Sequence, residues 1–227
     1  LYLAAAGVGQ IRIVDPDTVS LSNLQRQILF RTKDVDASKV ERAEAALKAL
    51  DPGVEVEALS LKATADTLPD LLADADLVLD GCDDFPTRFA VNRAAIKARI
   101  PLVSGAVGRW EGQIGVFGPH LQDNAPCYQC WVPDIPPDAE DCAVMGVVGA
   151  LTGVIGSMMA MEAIKLVTGH NQYAAKACPG FNVRSWLEKG PAAAPAPEAI
   201  GEATEATVYR WRLAEIRDTA ERALAGE

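Results

Sequence analysis

The chain has 227 residues, of which 49% are hydrophobic, and it carries a formal net charge of -10. This composition supports one folded α/β domain with an extension and excludes a wholly disordered chain. The negative charge argues against a nucleic-acid-binding protein, since such proteins present a basic face. The five cysteines are odd in number, widely spaced and preceded by no secretory signal, which predicts a reducing, cytoplasmic location.

The first residues, LYLAAAGVG, are typical of the last turns of a helix that ends on Gly7 and Gly9. A domain rarely begins in the middle of a helix. We therefore expect further residues upstream of Leu1.

Short apolar runs then alternate with helical patterns. Strands are predicted at QIRIVD, VEVEALSL, ADLVLD and IPLVSGAV, and an antiparallel strand at EGQIGVFG. Helices are predicted at DASKVERAEAALKAL and TRFAVNRAAIKAR. The alternation predicts an α/β fold with a doubly wound, Rossmann-like, mostly parallel sheet and an antiparallel extension.

The first of these helices has one apolar face, formed by Val40, Ala43, Leu47 and Leu50. Ser38 and Glu41 have the spacing of a capping box at its start. The sequence Asp51, Pro52, Gly53 predicts its end.

The run 142–161 contains no charged residue and is about as long as a membrane span. Its glycines lower the hydrophobicity and favour close helix packing; they are Gly146, Gly149, Gly153 and Gly156. We expect a buried core helix here and no membrane span.

Polar side chains follow two of the predicted strands. After the first come Asp15, Ser22, Asn23, Gln25, Arg26 and Gln27, and after the third come Asp80, Asp83 and Asp84. Ligands of parallel sheets bind outside the carboxyl ends of the strands. The two groups are therefore predicted to face one crevice.

Lys39 lies in the first turn of the helix that begins after Ser38, where the helix dipole repels a cation and attracts an anion. Together with Arg26, which can bind phosphate oxygens bidentately, it predicts a phosphate site. The alternative is an exposed surface lysine. Asp15 can accept hydrogen bonds from ribose hydroxyls, or it is a solvated turn aspartate.

Asp83, with Asp84, is a candidate for magnesium, which prefers carboxylates and substrate phosphates. The alternative is an N-cap for the helix that follows.

Cys127 and Cys130 have the spacing of half a zinc site, with Cys178 a possible third ligand and no fourth evident. A redox pair and two unpaired thiols are the alternatives. Cys142 follows two acids that raise a thiol pKa and precedes a helix N-terminus that lowers it, so its reactivity stays open. Cys82 is expected to be a small buried residue.

Past Gly169 the sequence changes character. PAAAPAPEA is typical of a linker, and ATVYRWRLAEIRDTAERALAG predicts a helix. We expect residues 1–170 to form one domain and residues 171–227 to form a divergent tail.

Six stretches together resemble the MoeB/ThiF family, which is related to the ubiquitin-activating enzymes. In order they are AGVGQIRIVDPDTVSLSNLQRQILF, DASKV, DLVLDGCDDFPTRFAVN, PLVSGAVGRWEGQIGVF, PCYQCWV and GVVGALTGVIGSMMAMEAIKLVTG. The resemblance implies an adenylyltransferase that uses ATP and Mg²⁺ to adenylate the C-terminal glycine of a ubiquitin-like sulfur-carrier protein. It also implies a homodimer, a MoaD-like carrier for molybdopterin synthesis, or alternatively a ThiS-like carrier for thiamine synthesis.

The resemblance assigns roles to individual residues. Asp15 would contact ribose, and Asp84 would lie beside the nucleotide. The nucleotide-contacting segment would consist of Ser22, Asn23, Leu24, Gln25 and Arg26. Lys39 would hold the polyphosphate, Asp83 would bind Mg²⁺, and Cys127 and Cys130 would bind Zn²⁺. Cys142 would match a cysteine that some members use covalently.

A Gly-rich phosphate loop of that family is expected just upstream of Leu1. A non-catalytic partner of the same fold is the competing hypothesis. The retained polar residues argue against it, since a decayed site sheds them. A nicotinamide-dependent dehydrogenase is disfavoured, because Arg26 and Lys39 suit a triphosphate better.

Overall fold

A computed structural model describes residues 1–118, 125–135, 146–168 and 208–212. The strands are β1 (Gln10–Val14), β2 (Glu55–Leu59), β3 (Val78–Asp80), β4 (Leu102–Val107), β5 (Glu111–Phe117) and β6 (Val208–Arg212). The α-helices are α1 (Tyr2–Ala5), α2 (Lys39–Leu50), α3 (Leu68–Leu71), α4 (Phe85–Ala98), α5 (Tyr128–Trp131) and α6 (Gly149–Thr168).

The strands pair in the manner that the alternating sequence predicts. β1 pairs with β2 and β3 with β4, both in parallel. β4 and β5 form the predicted antiparallel hairpin, and β6 adds to β5 in antiparallel orientation. Arg12 of β1 connects the two parallel pairs, since it bonds Glu57 of β2 and reaches Asp74 and the Leu71 carbonyl ahead of β3.

Helices cover both faces of the hairpin sheet, as in a doubly wound fold. On one face Leu102 and Phe117 pack with buried residues of α4 and α5. On the other face Val103 and Ile114 pack against α6. Neighbouring residues of a strand point to opposite faces, so β4 supplies both cores with apolar side chains. The predicted fold class is confirmed.

The predicted helix end at Gly7 is confirmed. Its φ is +82°. Its N–H donates to the Ala4 carbonyl at 2.9 Å, and the Val8 N–H donates to the Leu3 carbonyl at 3.1 Å. This is a Schellman cap, whose left-handed position glycine fills without strain. The prediction for Gly9 is wrong, since Gly9 instead accepts a hydrogen bond from the start of β2.

Helix α2 buries Val40, Ala43 and Leu47, and it ends before Asp51 as predicted. Leu50 is 49% exposed, because the helix ends there and its last turn projects beyond the core. The predicted capping box is wrong: the Ser38 side chain caps nothing, and its buried Oγ has no partner in the described part of the chain.

Helix α6 is buried on one face only. Leu151, Ile155 and Met159 pack against β4 and β5, whereas Val154 and Met161 are about half exposed. The stretch Gly149–Val167 is long and apolar enough to cross a membrane by length and composition, although core helices meet the same criterion. The prediction of a buried core helix therefore holds for the face that covers the sheet.

The helix predicted near the C-terminus is wrong over Val208–Arg212, where the chain forms β6 instead. The five residues VYRWR include β-branched and aromatic types that favour strands, and β5 offers them a free edge. The rest of that predicted helix and the linker lie outside the described residues.

We predict that Gly112→Ala lowers the free energy of unfolding by about 1–3 kcal/mol, the usual effect of overpacking a core. A Cβ at Gly112 would lie 2.6 Å from Ile155 Cδ1, so the Ile155 side chain or α6 would have to shift away from the hairpin. Urea denaturation measures the loss. Gly108→Ala is the matched control in the same hairpin, because its Cβ would make an ordinary contact at 3.8 Å. Equal losses in the two variants would contradict the close packing of α6.

Candidate active site

The chain that follows β1 makes a closed excursion before it enters α2. The Val19 N–H donates to the Ala37 carbonyl at 2.8 Å, and the Asp36 N–H donates back to Val19 at 2.9 Å. The Lys39 N–H donates to the Asp17 carbonyl at 3.1 Å. These bonds hold the two ends of the excursion together at the carboxyl end of β1.

The tip of this excursion carries the predicted polar cluster. The Arg26 guanidinium donates to Asn23 Oδ1 at 2.6 Å and to the Ser22 carbonyl at 3.4 Å. Ser22 is exposed and exchanges a hydrogen bond with Ser20. Arg26 is therefore oriented by its own loop, with its charge left without a carboxylate among the described residues.

Apolar packing and one close approach anchor the tip. Leu24 packs against the buried residues Val19 and Phe30, so its side chain belongs to a small core. The Gln25 backbone oxygen lies against the start of α6, where a Cβ at Gly149 would be only 2.0 Å away. Glycine at this position is what allows α6 to touch the loop.

Lys39 is 7% exposed, which rules out the alternative of an exposed surface lysine. Its Nζ lies 2.8 Å from Asp17 Oδ2 and 3.7 Å from Asp15 Oδ2. A buried ammonium is costly unless it is paired, and these two carboxylates pair it. The result is a cation at the start of α2 with two acids at the end of β1.

Asp15 also accepts the Asp17 N–H at 2.9 Å. This local bond gives Asp15 the turn geometry of the simpler alternative. Its side chain is still 36% exposed and one oxygen faces Lys39. The carboxylate is thus fixed in place and accessible at the same time.

The two acids after β3 have different environments. Asp84 is the N-cap of α4, because its Oδ1 accepts the Thr87 N–H at 2.8 Å. The helix-cap alternative is therefore confirmed for Asp84. Asp83 is exposed, and its carboxylate forms no hydrogen bond or ion pair within the described part of the chain.

Sequence reasoning missed a buried charged network behind these acids. Asp80 accepts bonds from Arg88 at 3.2 Å, from Ser104 at 3.0 Å and from the Cys82 N–H at 2.9 Å. Arg88 also donates to the carbonyls of Cys82 and Gly105. The signal was an arginine on the same helix face as the buried Val91 and Ala95, where a charge requires a partner.

The two thiols of the CxxC turn lie 3.6 Å apart. Asn92 of α4 donates to Cys127 Sγ at 3.6 Å and accepts the Tyr128 N–H at 3.0 Å. A structural zinc ion needs four ligands. The described residues supply only these two thiols and contain no cluster of three candidate ligands. Cys142 and Cys178 lie outside the described residues.

The environment separates the reactivities of the cysteines. Burial opposes ionisation of Cys127, but hydrogen bonds from Asn92 and from the turn around Cys130 outweigh it and lower the thiol pKa. Burial, reinforced by the carboxylate of Asp80, raises the pKa of Cys82.

The fold and this site define an α/β protein of the Rossmann-like class, with cationic and acidic side chains after its strands. The ThiF family model matches residues 1–189, and the chain belongs to the ThiF family. The resemblance seen in the sequence is confirmed.

The chain is also similar to curated relatives. The chain is 45% identical over 172 residues to a sulfur carrier protein adenylyltransferase of Thermus thermophilus, covering 74% of this chain and 64% of the relative. It is 41% identical over 169 residues to the sulfur carrier protein ThiS adenylyltransferase of Escherichia coli, covering 74% and 66%. It is 44% identical over 171 residues to the molybdopterin-synthase adenylyltransferase of Escherichia coli, covering 75% and 68%. The chain thus spans about two thirds of the length of these relatives.

Solved structures support the fold. Escherichia coli MccB is similar with a TM-score of 0.61 and 21% sequence identity, covering 73% of this chain and 50% of that one.

We predict that iodoacetamide alkylates Cys127 more than about tenfold faster than Cys82 at about pH 8, because the thiolate is the nucleophile. The lowered pKa of Cys127 makes its thiolate available at lower pH, so its rate rises first as the pH increases. Peptide mass spectrometry of chelator-treated protein measures both rates. Denatured protein is the control, in which the difference should vanish. Equal rates in the native protein would contradict the assigned environments.

Proposed function

We propose that this protein is an ATP-dependent adenylyltransferase that activates the C-terminal glycine of a ubiquitin-like sulfur carrier. In this reaction the carrier carboxylate attacks the α-phosphate of ATP. An acyl-adenylate forms, the bond to the β-phosphate breaks, and pyrophosphate leaves. The buried cation Lys39 between two accessible carboxylates is the observation that carries the proposal.

The charges of the site suit this reaction. A carboxylate and a phosphate repel each other, so cations are needed to neutralise charge that develops on the phosphates. Arg26 supplies a positive group on the excursion between β1 and α2, and Lys39 supplies another at the first residue of α2. Within the described part of the chain, Arg26 is held by neutral oxygens of Asn23 and Ser22. A polyphosphate is a stronger partner for it than either.

The ribose and the flanks of the nucleotide have their own partners. Asp15 is proposed to accept the ribose hydroxyls, a role that suits an acid at the end of the first strand. Ser22, Asn23 and Gln25 line the exposed tip of the excursion and are proposed to contact the nucleotide. Leu24 anchors that tip through the core. Asp84 caps α4 and is proposed to lie beside the nucleotide.

Magnesium fits the donor set at Asp83. This carboxylate is exposed and unpaired in the described part of the chain, and Mg²⁺ is bound by one or two carboxylates together with phosphate oxygens. When bound, the ion would shield the phosphate charges. No general base is required, because the carboxylate nucleophile is already ionised at neutral pH.

A MoaD-like carrier is the proposed substrate, which makes the reaction a step of molybdopterin cofactor synthesis. A ThiS-like carrier is the second candidate. It is supported by the 41% identity to the ThiS adenylyltransferase of Escherichia coli, close to the 44% identity to the molybdopterin-synthase adenylyltransferase.

Four further assignments complete the proposal. A homodimer is supported by the exposed apolar face of α6, which includes Val154 and Met161. Zinc would be held by Cys127 and Cys130 with ligands from elsewhere, among them Cys178. Cys142 would supply the thiol for a covalent step with the carrier. The use of ATP and the free thiols fit the reducing cytoplasm.

Exchange of radiolabelled pyrophosphate into ATP tests the proposal. The full-length protein should catalyse exchange only when a carrier with a free C-terminal glycine is present. Parallel assays with MoaD-like and ThiS-like carriers distinguish the two candidates. Absence of exchange with both carriers would favour the non-catalytic partner.

We predict that Arg26→Ala and Lys39→Ala each lower the exchange rate about 10²–10³-fold, the usual loss when one charge-stabilising donor is removed. Carrier affinity, measured by calorimetry, should change little, because both side chains act on phosphate. Lys48→Ala is the control, since Lys48 forms an exposed ion pair with Glu44 on the outer face of α2. Equal losses of carrier binding and exchange would contradict the phosphate role.

We predict that Asp83→Asn raises the Mg²⁺ concentration for half-maximal exchange at least about tenfold and also lowers the maximal rate, because a neutral amide is a weaker Mg²⁺ ligand. A magnesium titration of the exchange rate measures both. Asp66→Asn, at another exposed acid, is the control. If the Mg²⁺ dependence of exchange were the same in Asp83→Asn as in the wild type, Asp83 would have no role in metal binding.

A further inference from the structure

A buried arginine, Arg88, holds the loop between β3 and α4, residues 81–84, by a hydrogen bond from the core side. The Arg88 side chain is 7% exposed, and that of its partner Asp80 is 0% exposed. Arg88 donates to Asp80, to Ser104, and to the backbone carbonyls of Cys82 and Gly105. Its guanidinium therefore joins the end of β3, the loop, the strand β4 and the helix α4.

The peptide groups of Cys82 are held on both sides. Its N–H donates to Asp80 Oδ1 at 2.9 Å, and its carbonyl accepts from Arg88. On the far side of the loop, Asp84 is fixed by its bond to the Thr87 N–H. Asp83 is the residue between these two fixed points, and its carboxylate projects from a loop that has little freedom to move.

Packing alone does not explain this arrangement. A buried ion pair loses the hydration of both ions, and apolar residues of similar volume often stabilise a core as well or better. The pair at Asp80 and Arg88 instead supplies directed bonds to a loop backbone. The planar fork of arginine reaches several acceptors at once, which a lysine ammonium on a flexible stem does not reproduce.

We propose that Arg88 is a positioning residue, which fixes the loop so that the Asp83 carboxylate is preorganised for the divalent ion that accompanies the nucleotide. This inference rests on the proposed function for its catalytic consequence. Groups that orient a metal ligand typically change metal affinity 10–100-fold when they are removed. The magnesium requirement of the reaction is therefore set partly by a residue that touches neither metal nor substrate.

The test compares Arg88→Lys with Arg93→Lys, which changes an exposed arginine of the same helix. Arg88→Lys should raise the Mg²⁺ concentration for half-maximal exchange about tenfold. Arg93→Lys should not change it. In an Asp83→Asn background Arg88→Lys should add less than about twofold, because its effect passes through Asp83. The proposal would be overturned if Arg88→Lys had the wild-type Mg²⁺ concentration for half-maximal exchange. It would also be overturned if the changes caused by Arg88→Lys and Asp83→Asn multiplied in the double variant.

A second variant guards against simple unfolding. Arg88→Met combined with Asp80→Asn leaves no unpaired buried charge, so its core should remain folded. Hydrogen exchange of the backbone amides of residues 82–84 should be faster in both variants, while that of β4 and β5 stays as in the wild type. Unchanged loop exchange would overturn the positioning role.

The two proposals fail in different ways. A wild-type protein without carrier-dependent pyrophosphate exchange would refute the adenylyltransferase proposal. In that case the hydrogen-exchange rates of the loop amides would still show whether Arg88 holds residues 81–84 in place.

Discussion

The buried ion pair of Asp80 and Arg88 is the interaction on which the centre of this fold depends. It joins the end of β3 to α4, and through Ser104 and the Gly105 carbonyl it also reaches β4. Removal of either partner would leave an uncompensated charge in the core, which typically costs 3–5 kcal/mol. The strand end, the helix start and the acidic loop between them are therefore fixed together.

A second buried charge organises the polar residues after β1 in a different way. Lys39 is compensated by Asp15 and Asp17, whose carboxylates are themselves accessible to solvent. A polyphosphate that approached Lys39 would compete with these acids for the ammonium. Arg88 pairs with the fully buried Asp80, whereas Lys39 pairs with two carboxylates that are open to solvent. This contrast separates the supporting cation from the proposed phosphate-binding one.

The sequence predicted what local patterns encode. Strand and helix periods, the antiparallel hairpin and the end of α1 at Gly7 all follow from residues that are close in the chain. Asp84 is the helix cap that its position before the helical pattern suggested. The family was recognised from six ordered stretches, none of which required knowledge of a distant contact.

What the sequence did not reveal was set by contacts between distant segments. Ser38 has the position of a cap, but its Oγ accepts no N–H from the first turn of α2. The chain before α2 is instead held to the end of β1 by the bond from the Lys39 N–H to the Asp17 carbonyl. Leu50 fits the apolar period of α2 yet lies where the core ends. β6 depends on a partner edge far along the chain, so local helical periodicity was misleading there. The buried role of Arg88 needed Ser104 and Gly105, which no spacing rule connects to it.

Helix α4 has one more consequence. Arg88 and Asn92 lie one helical turn apart. Arg88 donates to the acidic loop of residues 81–84, and Asn92 forms hydrogen bonds with the turn that contains Cys127. A helix is stiff over such a short distance, so Arg88 and Asn92 keep their positions relative to each other. A shift of the turn at Cys127 would therefore move Asn92 and, with it, the short segment of α4 that carries Arg88.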